Sequence, residues 1–125
     1  MKNWAVLLVF AAWPASASET TFGEIVEQCK AAQAMSLGAD PDFKMLSDAA
    51  FCAGYIGGYL DGAQIQLFVS SNGAGSYCLP GKGISPEVVI NLMRSHLDLN
   101  PDAAAYTARL TTYAVLSRAF PCPAK

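Results

Sequence analysis

The sequence predicts an all-α fold: a small single-domain bundle of four main helices, held by two disulfides, after a cleaved signal peptide. Three observations predict it. Helix start signals recur along the chain, whereas period-two alternation of apolar and polar residues does not. Four cysteines occur in 125 residues, and all of them lie beyond an N-terminal export signal. About 108 residues remain after that signal, enough for one hydrophobic core and too few for two.

Residues 1–17 carry the export signal. Lys2 supplies the positive end, Trp4 to Trp13 form an uncharged apolar run, and Pro14-Ala15-Ser16-Ala17 ends in the small-x-small pattern read by signal peptidase. The apolar run is about ten residues against the roughly 20 that span a bilayer, which favours cleavage over a retained anchor. No cysteine follows the run for lipid attachment. The expected mature domain is 18–125, located in the periplasm. Loss of Lys2 leaves seven Lys and Arg against ten Asp and Glu, so the net charge moves from −2 to −3. A mildly acidic chain with no basic run neutralises few phosphates, so nucleic acid is not an expected partner, and attachment to a membrane surface is disfavoured likewise.

The first helix is predicted over Phe22 to Met35. Thr21 and Glu24 have capping-box spacing, and Phe22, Ile25, Val26 and Cys29 share one face. Gly38 and Asp40-Pro41 end it. A short helical turn around Phe43 to Leu46 precedes a second, central helix from Asp48 to about Val69, with Ser47 as its expected cap. Ser70 to Gly83 is rich in Ser, Gly and Asn and reads as the one long irregular segment. Ser85-Pro86-Glu87 opens a third helix to about Asp98, with Val89, Leu92, Met93, His96 and Leu97 on its face. Asn100-Pro101-Asp102 repeats that signal and opens a fourth helix running to about Ala119. Its expected stripe is Tyr106, Leu110, Tyr113 and Ser117, with Leu116 and Phe120 beside it. Pro121 and Pro123 stop it.

This helix order pairs the cysteines. Consecutive helices joined by a short connection are antiparallel neighbours, so Cys29 late in the first faces Cys52 early in the second. Cys78 precedes the third helix and Cys122 follows the fourth, at the same end of a second hairpin. Zinc is the competing use of cysteine, but no pair has C-x-x-C spacing and the single histidine, His96, is not beside a cysteine.

Few residues point to chemistry. Gly54, Gly58 and Gly62 recur every four residues on the second helix, where each costs about 1 kcal/mol relative to alanine. They therefore predict close packing on that face, by the first or fourth helix or by a partner helix or second copy. Asp61 lies among apolar neighbours and would pair with Arg94, Arg109 or Arg118 if buried. His96 has Ser95 and Asp98 nearby, but neighbours on one helix diverge and cannot form a catalytic relay. No nucleophile elbow, no metal-binding histidine pair and no cofactor motif is present. The sequence thus predicts no catalytic residue, no metal and no cofactor, and favours a binding function. The long loop is the expected binding element, with Asn72, Tyr77 and Lys82 as partner contacts.

Three stretches together resemble the Rap1a/Tai immunity-protein family. They are Phe51-Cys52-Ala53-Gly54-Tyr55-Ile56-Gly57-Gly58-Tyr59-Leu60-Asp61-Gly62, then Cys78-Leu79-Pro80 with Gly83-Ile84-Ser85, then Ala119-Phe120-Pro121-Cys122-Pro123. The resemblance runs from about Cys29 to Pro123. It implies a periplasmic helical protein that neutralises a toxin delivered by type VI secretion. In characterised relatives that toxin is a peptidoglycan amidase, a cell-wall hydrolase, and the immunity protein is a homodimer that obstructs its active site. The family's cysteines carry over to Cys52, Cys78 and Cys122, and to Cys29 by position. The alternative function is a small periplasmic helical chaperone or stress-binding protein without a cognate toxin.

Overall fold

A computed structural model describes residues 18–69 and 77–123. The expected signal peptide, residues 1–17, lies outside them. The described chain is all-helical: α1 (Phe22–Ser36), α2 (Phe43–Val69), α3 (Pro86–Leu99), a 3-10 turn (Pro101–Ala105) and α4 (Ala108–Ala119).

Local chemistry explains how α1 begins and ends. Glu24 N–H donates to Thr21 Oγ1 at 3.3 Å while Thr21 N–H donates to Glu24 Oε2 at 2.7 Å, a complete capping box. Gly38, at φ +90°, closes the other end: its N–H donates to Met35 O and Ala39 N–H to Ala34 O, both at 3.0 Å. This is the Schellman arrangement, which needs a left-handed residue where glycine stands. Phe22, Ile25, Val26 and Cys29 are buried, the predicted face.

The second helix starts earlier than expected. Phe43 to Val69 is one continuous helix of 27 residues, so the short turn at Phe43 to Leu46 is its first turn and Ser47 is an exposed interior residue and not a cap. Asp42 caps it, accepting from Met45 N–H at 2.7 Å through Oδ1. No breaker separates Phe43 from Asp48, and a Lys44–Asp48 ion pair one turn apart joins the two stretches.

Pro86 opens α3 as predicted, with Ser85 extended at φ −73° but its hydroxyl making no cap bond. Val89, Ile90 and Met93 are its buried residues; Leu92, His96 and Leu97 are half-buried. Ile90 faces inward because α3 is covered on two sides, by α1 and by α4.

The fourth helix departs most from expectation. Pro101–Ala105 makes only a 3-10 turn, the chain extends at Tyr106 and Thr107, and α4 begins at Ala108. The break has a non-local cause. Phe22 N–H donates to Tyr106 O at 2.8 Å, and Ala108 N–H donates to Thr20 O at 3.0 Å, so Thr21 and Thr107 form an isolated antiparallel bridge. Extended backbone is required there, and the helical register changes across it. The buried residues of α4 are Ala108, Thr111, Thr112, Val115 and Leu116. Tyr106, Leu110 and Tyr113, expected on the inner stripe, are exposed.

Two disulfides close the fold in the pairing that helix order predicts. Cys29 and Cys52 join α1 to α2 with Cα atoms 5.0 Å apart, and Cys78 and Cys122 join the segment before α3 to the segment after α4 at 4.8 Å. One apolar core runs through all four helices, from Phe22 and Ile25 through Ile56 and Met93 to Leu116.

Candidate partner-binding surface

A groove of about 480 Å³ runs along the flank of α2. Its floor is Gly54, Gly58 and Gly62, and its walls are Tyr55, Tyr59, Tyr77 and Tyr113, from α2, from the segment before Cys78 and from α4. Among the described residues, a Cβ built on any of the three glycines meets no atom within 4 Å. Neither α1 nor α4 therefore makes the close approach within the chain that the glycine spacing suggested. The helices stand too far from this face, and the glycines instead keep a channel open.

Three of the four walls are held from behind by their own hydroxyls. Tyr59 OH donates to Arg109 O, Tyr55 OH and Thr112 Oγ1 are 3.2 Å apart, and Tyr77 OH donates to Tyr59 O at 3.3 Å. Tyr77 also meets Tyr113 edge to face at 6.0 Å. Burial pushes the Tyr59 and Tyr77 phenols above their ordinary values, so both stay protonated. With those three hydroxyls engaged within the fold, the groove presents rings and glycine backbone, a surface suited to an apolar or helical partner.

These positions correct the expectation for Tyr77. It is 5% exposed and forms part of the core, because the Cys78–Cys122 bond and the Cys78 N–H bond to Phe120 O at 2.8 Å draw it against α4. It contributes a wall, not a protruding contact. Lys82 is exposed on the turn closed by Gly83 N–H to Pro80 O at 2.7 Å, with Gly83 at φ +73°. Asn72 lies outside the described residues. Asp61 is exposed and needs no buried partner; of the candidate cations, Arg109 pairs with Glu19 at 2.7 Å and Arg94 donates to Gln33 Oε1 at 2.6 Å.

A second, larger concavity of about 900 Å³ lies where α3, the 3-10 turn and α4 meet. Leu99, Tyr106 and Leu110 give it exposed apolar area, and His96, Asp102 and Arg118 give it polar groups. His96 packs edge to face on Phe22 at 5.8 Å, which places it as a packing residue. Sequence reasoning missed this surface, because a fourth helix continuous from Pro101 puts Tyr106 and Leu110 on one stripe with Tyr113 and Ser117. Among the described residues, no group of His, Cys, Asp and Glu could hold a metal ion, and no helix is long and apolar enough to cross a membrane.

An all-helical, disulfide-closed scaffold that offers apolar concavities belongs to the class of small binding proteins. Comparison with known families makes this specific: the model of the Rap1a immunity proteins matches residues 21–122. The chain belongs to that family and is an immunity protein of the type VI secretion kind. No curated protein and no solved structure matches it significantly.

Proposed function

We propose that this protein is exported to the periplasm, there binds a toxin delivered by type VI secretion, and blocks the toxin's active site as a homodimer. A peptidoglycan amidase is the toxin we propose. Family membership across residues 21–122 carries this reading. The export signal at residues 1–17 supports the compartment, as do two disulfides, which persist where conditions are oxidising. Blocking a hydrolase requires surface complementarity and no chemistry of the inhibitor's own, in keeping with exposed Leu99, Tyr106 and Leu110 beside Arg118. The test is co-purification of the mature chain with the toxin encoded beside its gene, followed by release of soluble fragments from purified peptidoglycan. Stoichiometric binding with loss of hydrolysis is expected. Binding to a toxin that is not an amidase would overturn the substrate class, and absence of any bound toxin would overturn the function.

A further inference from the structure

The two disulfides fasten different things. Cys29–Cys52 ties α1 to α2 inside the core, with both cysteines 1% exposed. Cys78–Cys122 lies outside every helix, between the segment before α3 and the tail after α4, and both of its cysteines are half-buried. Helices α3 and α4 do not need this bond in order to meet. They are joined through the short 3-10 turn, and Val115 and Leu116 hold α4 in the core. The start of α4 is pinned separately, by Phe22 N–H to Tyr106 O at 2.8 Å and by Ala108 N–H to Thr20 O at 3.0 Å.

What Cys78–Cys122 does hold is Tyr77. The segment and the tail lie side by side, with Cys78 N–H donating to Phe120 O at 2.8 Å. Pro121 and Pro123, on either side of Cys122, are exposed and lack an N–H, so neither donates a backbone bond to the segment opposite. Tyr77 itself reaches the rest of the fold through its hydroxyl, 3.3 Å from Tyr59 O, and through its edge contact with Tyr113. One covalent bond thus secures a whole wall of the groove on α2.

We infer that Cys78–Cys122 is a redox latch: its reduction by a dithiol releases the Tyr77 wall of the groove, while the helical core, locked by Cys29–Cys52, stays folded. A thiolate of the reductant attacks one of the two sulfurs, the S–S bond breaks, and a mixed disulfide forms; the second thiol of the reductant then displaces it. Cys78 and Cys122 leave as thiols, having gained two electrons and two protons, and the dithiol is oxidised to a disulfide. Access decides which bond is attacked, and in the folded chain Cys78–Cys122 is the one a thiolate can approach. The reduced groove keeps Tyr55, Tyr59 and Tyr113, so a partner that packs on Tyr77 is held by the oxidised chain alone.

The test is dithiothreitol reduction of the mature chain, followed by circular dichroism, hydrogen exchange and nitration of tyrosines mapped by mass. Cys78–Cys122 is expected to open at least about tenfold faster than Cys29–Cys52. The half-reduced chain should keep its helical signal, while Tyr77 loses its protection from nitration and the Cys78 amide its protection from exchange. Oxidised glutathione should restore both. Cys78→Ser combined with Cys122→Ser should reproduce the half-reduced pattern with no reductant present. Loss of the helical signal in that double variant would make the bond a staple of the fold and overturn the latch. A folded double variant in which Tyr77 stays protected would overturn it too, as would opening of both disulfides at one rate.

Discussion

Two residues on the same kind of element show how neighbours decide what a side chain is for. Gly23 and Gly54 both lie in helices, and sequence spacing drew attention only to the second. A Cβ on Gly23 would come within 3.1 Å of Ala104 Cβ and of Ala104 O, on a 3-10 turn pinned by backbone bonds. Overpacking there should outweigh the gain of about 1 kcal/mol that alanine brings to a helix. Gly23→Ala is therefore expected to lower the melting temperature, and Gly54→Ala to hold or raise that of the monomer; thermal denaturation of both compares them directly. The tyrosines add a pH effect. Unfolded, Tyr59 and Tyr77 release their protons near the ordinary value of 10.0, whereas burial keeps both protonated in the folded chain. The folded state then holds more protons above pH 10, so their contribution, complete below that pH, is lost as pH rises toward the folded values. Urea titrations across pH 8–11 should show stability falling above about 10, and Tyr59→Phe should flatten that fall while costing about 1 kcal/mol at neutral pH for the bond to Arg109 O.

At the scale of elements, what was legible in the sequence was what neighbouring residues determine. Thr21 with Glu24 marked the start of α1 because its capping box is complete within four residues, and Pro86 marked the start of α3 through its fixed φ at the first helical position, without a cap bond from Ser85. The cysteine pairing was legible too, since it needs only helix order. The break at Tyr106 was not. Its cause, the bonds to Thr20 and Phe22, lies more than 80 positions away, and Pro101 followed by alanines gives every local sign of a continuous helix. That error turned Leu110 and Tyr113 inward and hid the larger concavity. Tyr77 was misjudged for a related reason: its segment looks like loop by composition, but Cys78 anchors it to α4. The two disulfides should also differ in access. Cys29 and Cys52 are each 1% exposed, whereas Cys78 and Cys122 are half-buried. Graded treatment with a small thiol, followed by alkylation and mass mapping, should label Cys78 and Cys122 first. Simultaneous labelling of all four would mean that the fold opens as a unit.

For the whole molecule, a single core ties four helices together, while much of the longest helix faces solvent. Cys29–Cys52 closes one hairpin and Cys78–Cys122 the other, and the chain between them is crossed by neither bond. This arrangement bears on how the protein is made. In the export proposed above, the chain would present its cysteines in order, N-terminal first. When Cys52 emerges, Cys29 is the one thiol already available to it, and that bond takes Cys29 and Cys52 out of circulation before Cys78 arrives. Cys78 then waits for Cys122. On that route the first partner each cysteine meets would be its native one, which would favour the native pairing. An immunity protein gains from such a direct route to its folded form.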